Sequence, residues 1–258
     1  FYGQAIRVYA ATASGNAAPL RTLNPPQLGQ PIQIAVSAVH EELLAVTSNG
    51  VETFLRSDSG SAPYPQRRLP LSTTSDGRGT RLNNPGGIIL RPSSDEIAVP
   101  DYGVGAGNAG FGVVLFFSRT VTGNSAPRRT LEGPQTLLGI AAFGITYDPT
   151  HDEILVLSQD SQQYPYVYRI SAFSGGASGN TAPLRSISGT NTLLGDIHAI
   201  AYDDATELLY VSEGGENGIP ARILVFARDA NGNVAPDRVI VPNGASFVLP
   251  QGITTVYD

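Results

Sequence analysis

The side chains best suited to binding chemistry lie at the ends of apolar segments. Asp101, Asp160 and Glu213 each follow a dense apolar run, and His198 begins another such run beside Asp196. Converging carboxylates can hold Ca²⁺, which takes about six to eight oxygen ligands, and histidine is the usual entry to acid–base and metal chemistry. One histidine by itself does not make a metal site. We expect the carboxylates of Asp101, Asp160 and Glu213, together with His198, to contact a polar ligand or a cation such as Ca²⁺.

Three tyrosines, Tyr102, Tyr164 and Tyr166, lie in the segments that follow the same apolar runs. Their flat, amphipathic rings suit a sugar ring or a peptide. The internal repeat described below carries extra length in the segments 70–85 and 102–112, and both are expected to emerge on the same face as 159–166 and 213–220. A functional site in a repeat protein is expected where the repeat is broken. We therefore expect a protein or glycan ligand at the face that carries these loops.

The composition excludes several kinds of chemistry. The 258 residues include no cysteine, methionine, tryptophan or lysine, which rules out a thiol nucleophile, a disulfide framework, a Schiff-base lysine and a Walker-type phosphate loop. No cofactor is evident. The net charge of −6, without a basic cluster, argues against a nucleic-acid partner. No apolar run approaches the roughly 18 residues needed to cross a bilayer.

The elements that must position these side chains are set by an internal repeat. The segment IRVYAATASGNAAPLRTL at 6–23 recurs at 114–131, 169–187 and 223–240, with a degenerate copy at 51–69. Between consecutive copies lies a second shared segment, such as FGITYDPTHDEILVLS at 143–158. Its isoleucines recur every 53 to 57 residues: Ile34, Ile88, Ile145, Ile200 and Ile253.

Each repeat unit is predicted to form four short antiparallel strands. Runs without alternation, such as Ile223 to Phe226, indicate burial on both faces of a sheet. Four-stranded units repeated in series without helical periodicity predict a β-propeller. Five inner strands predict five blades, so we expect an all-β, five-bladed β-propeller that forms a single domain over residues 1–258.

The repeats resemble those of NHL-type and related bacterial secreted or surface propellers, whose units join a Pro-x-Gly-Ile-Ala strand to an Ile-Tyr-Val strand and then to a Val-Phe strand. The likeness spans nearly the whole chain. Such propellers serve as binding modules, scaffolds and enzymes. Relatives such as lactonases and streptogramin-lyase-like enzymes hold a divalent cation in the channel, a role for which the resemblance would recruit His198, Asp101, Asp160 and Glu213.

Closure of the ring raises a separate question. The chain from Ile253 to its end, joined to the stretch from Phe1 to Ile34, is about 15 residues short of one repeat and lacks a second strand. We expect a closing blade shared by the two termini, with residues 252–258 innermost. Residues outside this sequence would fill the vacancy, or residues 1–10 would shift inward, or a neighbouring chain would donate a strand and make the protein an assembling subunit.

One arginine recurs in every unit and is expected to be structural, bridging blades or capping loop carbonyls, because a functional site breaks a repeat. The chain begins at Phe1 without methionine, which predicts a removed leader and an extracellular or cell-surface location. We expect a non-catalytic structural or ligand-binding propeller, with a divalent-cation-dependent lactonase-like or lyase-like enzyme and a lectin-like glycan binder as alternatives. The recurring arginines are Arg21, Arg67, Arg129, Arg185 and Arg238.

Overall fold

β-Strands form almost all the regular structure of the chain. A computed structural model describes residues 4–73, 78–102, 111–160, 166–215, 220–241 and 252–254. Two single-turn 3₁₀ helices, Pro134–Thr136 and Thr190–Thr192, connect strands. The strands are β1 (Ile6–Val8), β2 (Arg21–Leu23), β3 (Pro31–Ser37), β4 (Glu42–Thr47), β5 (Gly50–Leu55), β6 (Arg67–Pro70), β7 (Ile89–Arg91), β8 (Glu96–Asp101), β9 (Val113–Ser118), β10 (Arg129–Glu132), β11 (Ala141–Asp148), β12 (Glu153–Gln159), β13 (Tyr168–Ser174), β14 (Arg185–Ile187), β15 (Ile197–Asp203), β16 (Leu208–Glu213), β17 (Arg222–Ala227) and β18 (Arg238–Ile240).

Consecutive strands pair in chain order to give four antiparallel, four-stranded sheets. We call them the first sheet (β3 to β6), the second sheet (β7 to β10), the third sheet (β11 to β14) and the fourth sheet (β15 to β18). β1 and β2 pair with each other and form the two-stranded N-terminal sheet. The up-and-down order follows from short turns between successive strands, as the repeat predicts.

The second strand of each complete sheet lies between its first and third strands and is covered on both faces. Every residue of β4 and of β8 is buried, which explains why these segments are apolar without alternation. The residue before each second strand adopts the left-handed backbone conformation, which tightens the preceding hairpin turn. These residues and their φ angles are Glu41 (53°), Asp95 (51°), Asp152 (49°) and Glu207 (53°).

Apolar side chains fill the spaces between neighbouring sheets. Each third strand contributes a phenylalanine that is 0% exposed and lies opposite an apolar residue of the second strand. Burial of each such side chain stabilises the fold by about 2 to 3 kcal/mol. The pairs are Phe54 with Leu43, Phe117 with Ile97, Phe173 with Ile154 and Phe226 with Leu209.

The N-terminal sheet takes the place of a further blade ahead of the first sheet. Leu23 of β2 forms a parallel bridge to Gly60, as Leu131 does to Gly179 and Ile187 to Gly232. The N-terminal segment also packs on the first sheet, where Ile6, Leu23 and Leu28 form one buried cluster with Leu43, Ala45 and Phe54. β1 and β2 are therefore equivalent to the third and fourth strands of a complete blade.

The prediction of five blades is confirmed only in part, since the described residues form four complete blades and one two-stranded sheet. The physical reason is the missing copy of the second strand, because none of the described strands then pairs with the inner edge of β1. Residues 252–254 carry no strand. They line cavities beside β3 and β15, on the side of the ring where the closing blade was expected. The register of β1 on β2 also shows that residues 6–8 have not shifted inward.

Three of the five recurring arginines, Arg67, Arg129 and Arg185, pair with the glutamate that opens a second strand. Arg67 contacts Glu42 at 2.7 Å, and Arg129 contacts Glu96 at 2.9 Å; both glutamates open a second strand. Arg129 also donates a hydrogen bond to the carbonyl of Gly175 in the next sheet, at 2.8 Å. These contacts confirm the structural role predicted for Arg67 and Arg129.

Candidate functional site

A cavity of about 480 Å³ lies where the first strands of the sheets approach one another. Equivalent repeat positions contribute to its wall, each two residues before the repeating isoleucine. In three sheets this residue sits at a shift in register between the first and second strands, and such bulges commonly re-aim a side chain. The four residues are Ile32, Gly86, Phe143 and His198.

His198 is the titratable residue of that set. Its Nε2 lies 3.3 Å from an Oδ2 oxygen of Asp196, which also lines the cavity. The histidine side chain is 23% exposed. The imidazole nitrogens of His198 and the carboxylate oxygens of Asp196 give this part of the wall a hydrogen-bond donor and acceptors for a polar ligand.

Tyr102 supplies an aromatic surface to the same cavity. Its ring centroid lies 6.3 Å from that of Phe143 with an interplanar angle of 34°, and both residues line the wall. Burial, followed by the negative charge of Asp101, raises the pKa of the Tyr102 hydroxyl. The phenol therefore stays protonated at neutral pH and available for hydrogen bonding.

Amide and aromatic side chains complete the wall. Gln33, Asn84, Gln159 and Tyr168 all line the cavity. Gln33 also accepts a hydrogen bond from the backbone N–H of Ile88 at 3.2 Å, which links the first and second sheets. Side chains of this kind can bind a polar ligand by hydrogen bonds and ring contacts.

Asp101 and Glu213, by contrast, are not among the cavity residues. Asp101 is 0% exposed and accepts hydrogen bonds from the backbone N–H groups of Asn83 and Asn84, at 2.8 and 3.1 Å. Glu213 is 3% exposed and pairs with Arg222 on the adjacent strand. Both carboxylates therefore hold loops and strands in place.

The remaining predicted residues lie beyond the cavity wall or outside the described residues. Asp160 pairs with Arg169 at 2.7 Å. Tyr166 is 44% exposed and makes an edge contact with the ring of Tyr168 at a centroid distance of 6.4 Å. Tyr164 lies outside the described residues, as do parts of the four predicted loop segments. Tyr102 and His198 are thus the predicted residues that the structure brings to the cavity.

The sequence reasoning missed Phe143, Gln33, Gln159 and Tyr168. The repeat carries a signal for Phe143, since it stands two residues before Ile145 as His198 does before Ile200. The others had no such signal, because a strand pattern does not tell which strand end faces the channel. Within the described ranges, no group of three or more His, Asp or Glu residues is arranged to hold a metal ion.

The fold defines the class of this protein as a β-propeller. A search of solved structures finds similarity to a chain from a crystal structure of a nidogen/laminin complex, with a TM-score of 0.55 and 13% sequence identity over 88% of this chain and 69% of that chain. At this identity, the similarity shows the fold alone. No protein-family model matches the sequence, and no curated protein matches it. None of the helices in the described part of the chain has the length and apolar character needed to span a membrane.

Proposed function

We propose that this chain is an extracellular or cell-surface propeller that works by contact and binds a protein or a glycan at the central cavity. The observation that carries the proposal is the chemistry of the cavity wall: Tyr102 and Phe143 supply aromatic surface, while His198 with Asp196 supplies hydrogen bonds. Binding sites of this composition hold a ligand through a few polar contacts on an apolar surface. The similar solved structure is described as a complex, which is compatible with a protein ligand.

The environments of the predicted acids favour contact over catalysis. The carboxylates of Asp160 and Glu213 are paired with arginines, and Asp101 accepts backbone hydrogen bonds. A cation site built from them would have to break these interactions and leave arginine charges without partners. The cation-dependent lactonase or lyase remains the alternative function, and Ca²⁺ is the cation to test first.

A binding screen with matched variants tests the proposal. The protein is applied to peptide and glycan arrays, and hits are measured again with Tyr102→Ala, His198→Ala and Tyr64→Ala. Tyr64 is the control because it is a 74% exposed tyrosine outside the cavity wall. We expect Tyr102→Ala to weaken binding by about 10- to 100-fold, as for an interface hot spot, and Tyr64→Ala to leave it unchanged.

The competing outcomes are separable. Equal effects of Tyr102→Ala and Tyr64→Ala would place the ligand elsewhere. Turnover of an ester or lactone panel that depends on added Ca²⁺ or Mg²⁺, and that is lost in His198→Ala, would replace the contact function with the enzymatic one. Hits confined to glycans would establish the lectin-like function.

The proposal extends to the family and to closure of the ring. We retain the kinship with NHL-type propellers, supported by the repeat pattern, and a fifth blade shared by the two termini in a single domain. The placement of residues 252–254 beside β3 and β15 supports that closure. Self-association through the incomplete blade is a further mode of contact, which sedimentation velocity over a range of concentrations would detect.

A further inference from the structure

The incomplete blade leaves a defined slot beside β1. In the complete sheets, the third strand pairs with a neighbour on both edges, whereas β1 pairs only with β2 among the described residues. A cavity of about 640 Å³ lies between one face of β3 and residues 252–254, and the equivalence of β1 to a third strand places the slot between this cavity and the inner edge of β1. An unpaired strand edge is a template for another strand.

Tyr9 is exposed at a repeat position that is buried in the complete sheets. It stands at the repeat position filled by Phe54, Phe117, Phe173 and Phe226 in the complete sheets. Those four phenylalanines are 0% exposed, but Tyr9 is 47% exposed. Each phenylalanine lies opposite an apolar second-strand residue, whereas among the described residues no strand lies along the inner edge of β1 to supply such a residue for Tyr9.

The floor of the slot is apolar and exposed. Ile32, Ile34 and Val36 of β3 are 46%, 44% and 51% exposed, and all three line the cavity. The equivalents of Ile34 in the other complete sheets are 1 to 3% exposed, because a neighbouring blade covers them. These equivalents are Ile88, Ile145 and Ile200.

The charge at the slot shows which residue should open the missing strand. Arg21 is the repeat equivalent of Arg67 and Arg129, each of which pairs with the glutamate that opens the second strand of its blade. Among the described residues, no carboxylate forms an ion pair with Arg21. An acidic residue at the start of an incoming strand would supply that partner.

A second arginine lies at the matching position of the first sheet. Arg119, in the second sheet, reaches Glu42 of the first sheet at 2.7 Å and is 9% exposed. Its repeat equivalent, Arg56, pairs with the exposed Glu41 and is itself 44% exposed. An acid at the start of an incoming strand would thus meet positive charge from both sheets.

We propose that the slot binds an extended segment of another polypeptide as the second strand of the fifth blade. The segment opens with a glutamate for Arg21 and continues with about five residues that are apolar on both faces. The four stretches of this type in the described residues, β4, β8, β12 and β16, already lie inside complete blades. Within the described part of the chain, therefore, no stretch of this type is left to act as the donor. The inference deepens the contact function and rests on it. The slot adjoins the central cavity and shares Ile32 with it, but Tyr102 lines the central cavity and not the slot, whereas Ile34 lines the slot and not the central cavity.

A synthetic peptide provides the test. The peptide Asp-Glu-Ile-Leu-Val-Leu-Ser-Gln copies residues 152–159, which are Asp152 and the whole second strand of the third sheet. Titration calorimetry is expected to show one bound peptide per chain. At about 100 times its Kd, the peptide is expected to raise the melting temperature by about 5 to 10 °C. A peptide of the same composition in scrambled order is the control.

Variants of the chain locate the bound peptide. Ile34→Glu is expected to abolish binding, and Tyr9→Ala is expected to weaken it. Val39→Glu is the matched control because Val39 is an 89% exposed apolar residue in the turn that follows the same strand. Circular dichroism verifies that each variant is folded, and Tyr9→Ala preserves the test if Ile34→Glu does not fold.

A double-mutant cycle tests the charge pairing. The peptide with Glu153→Gln and the chain with Arg21→Gln are each expected to bind about tenfold more weakly, and the two changes together to add little more. If the protein alone forms oligomers and the peptide dissociates them, a second copy of the chain is the natural donor, and the proposal that the slot binds a strand is supported. Three results would overturn the proposal: no peptide binding, equal binding of the scrambled peptide, or binding that neither Ile34→Glu nor Tyr9→Ala affects. None of these results would decide the array experiment with Tyr102→Ala, which tests the proposed function independently.

Discussion

A matched pair of arginine substitutions tests the equivalence of the incomplete and complete blades. Arg129 contacts Glu96 at 2.9 Å, donates hydrogen bonds to the carbonyls of Gly175 and Ala177, and lies over the ring of Phe116 at 3.4 Å from its centroid. Arg21 stands at the same repeat position, but its side chain has no ion pair within the described residues.

Arg129→Gln is expected to lower the free energy of unfolding by about 3 kcal/mol. The change leaves Glu96 with Arg91 and Ser94 as its remaining side-chain partners and leaves two loop carbonyls without a charged donor. Loss of one partner of a buried, hydrogen-bonded pair typically costs about 3 to 5 kcal/mol. We take the lower end because the Arg129 side chain is 17% exposed.

Arg21→Gln is expected to change the free energy of unfolding by less than about 0.5 kcal/mol, as for a surface substitution. Equilibrium urea unfolding of both variants and the unsubstituted protein measures the difference. A loss at Arg21 equal to that at Arg129 would show that Arg21 already has a partner, and the reasoning about the slot would then be refuted.

Three further predictions follow from local geometry. Burial acts to raise the pKa of Asp148, but hydrogen bonds from Arg228 and His151 outweigh it and lower the pKa below its ordinary 3.8. The ionised carboxylate should therefore stabilise the fold above pH 3.8, and this contribution should be lost as the pH falls through the lower native pKa. Asp148→Asn should accordingly flatten a plot of melting temperature against pH below 4. Gly86→Ala should destabilise the fold by roughly 2 kcal/mol or more, because the added Cβ would lie 2.4 Å from the carbonyl oxygen of Phe143 and 2.6 Å from the Cα of Phe143. Gly176→Ala is the control, since a Cβ there would have no neighbouring atom within 4 Å. Its free energy of unfolding in urea should lie within about 0.5 kcal/mol of that of the unsubstituted protein. Glu207→Gly should stabilise the protein by about 0.5 to 1 kcal/mol in the same assay, since Glu207 has a φ of 53° that glycine adopts without strain; a loss of stability would show that the glutamate side chain does more than fill the turn.

The repeat pattern predicted most of the strand arrangement. The spacing of Ile34, Ile88, Ile145 and Ile200 identified four first strands, and the runs without alternation identified strands covered on both faces. These predictions succeeded because both features are local: strand periodicity depends on burial, and the turns depend on residues within the hairpin. The missing second strand was also visible in the sequence as a shortfall in the last repeat.

The candidate site was predicted less completely. Tyr102 and His198 lie on the cavity wall, whereas Asp101 and Glu213 hold loops and strands in place. An acid after a strand can accept backbone N–H groups, pair with an arginine or face a channel, and the sequence pattern is the same in all three cases. The neighbouring chain segments decide among them.

The sequence by itself determined the repeat, its strand order and the position at which one strand is lacking, because these depend on side-chain types at fixed local intervals. The tertiary structure decided which copies of a repeated residue are satisfied. Arg21 and Arg129 occupy the same position in their repeats, as do Tyr9 and Phe173, yet within the described residues Arg129 is ion-paired and Phe173 is buried, whereas Arg21 has no ion pair and Tyr9 is exposed. The physical reason is that burial and pairing require a neighbouring strand from a distant part of the chain or from another chain, and local sequence does not encode the presence of that neighbour.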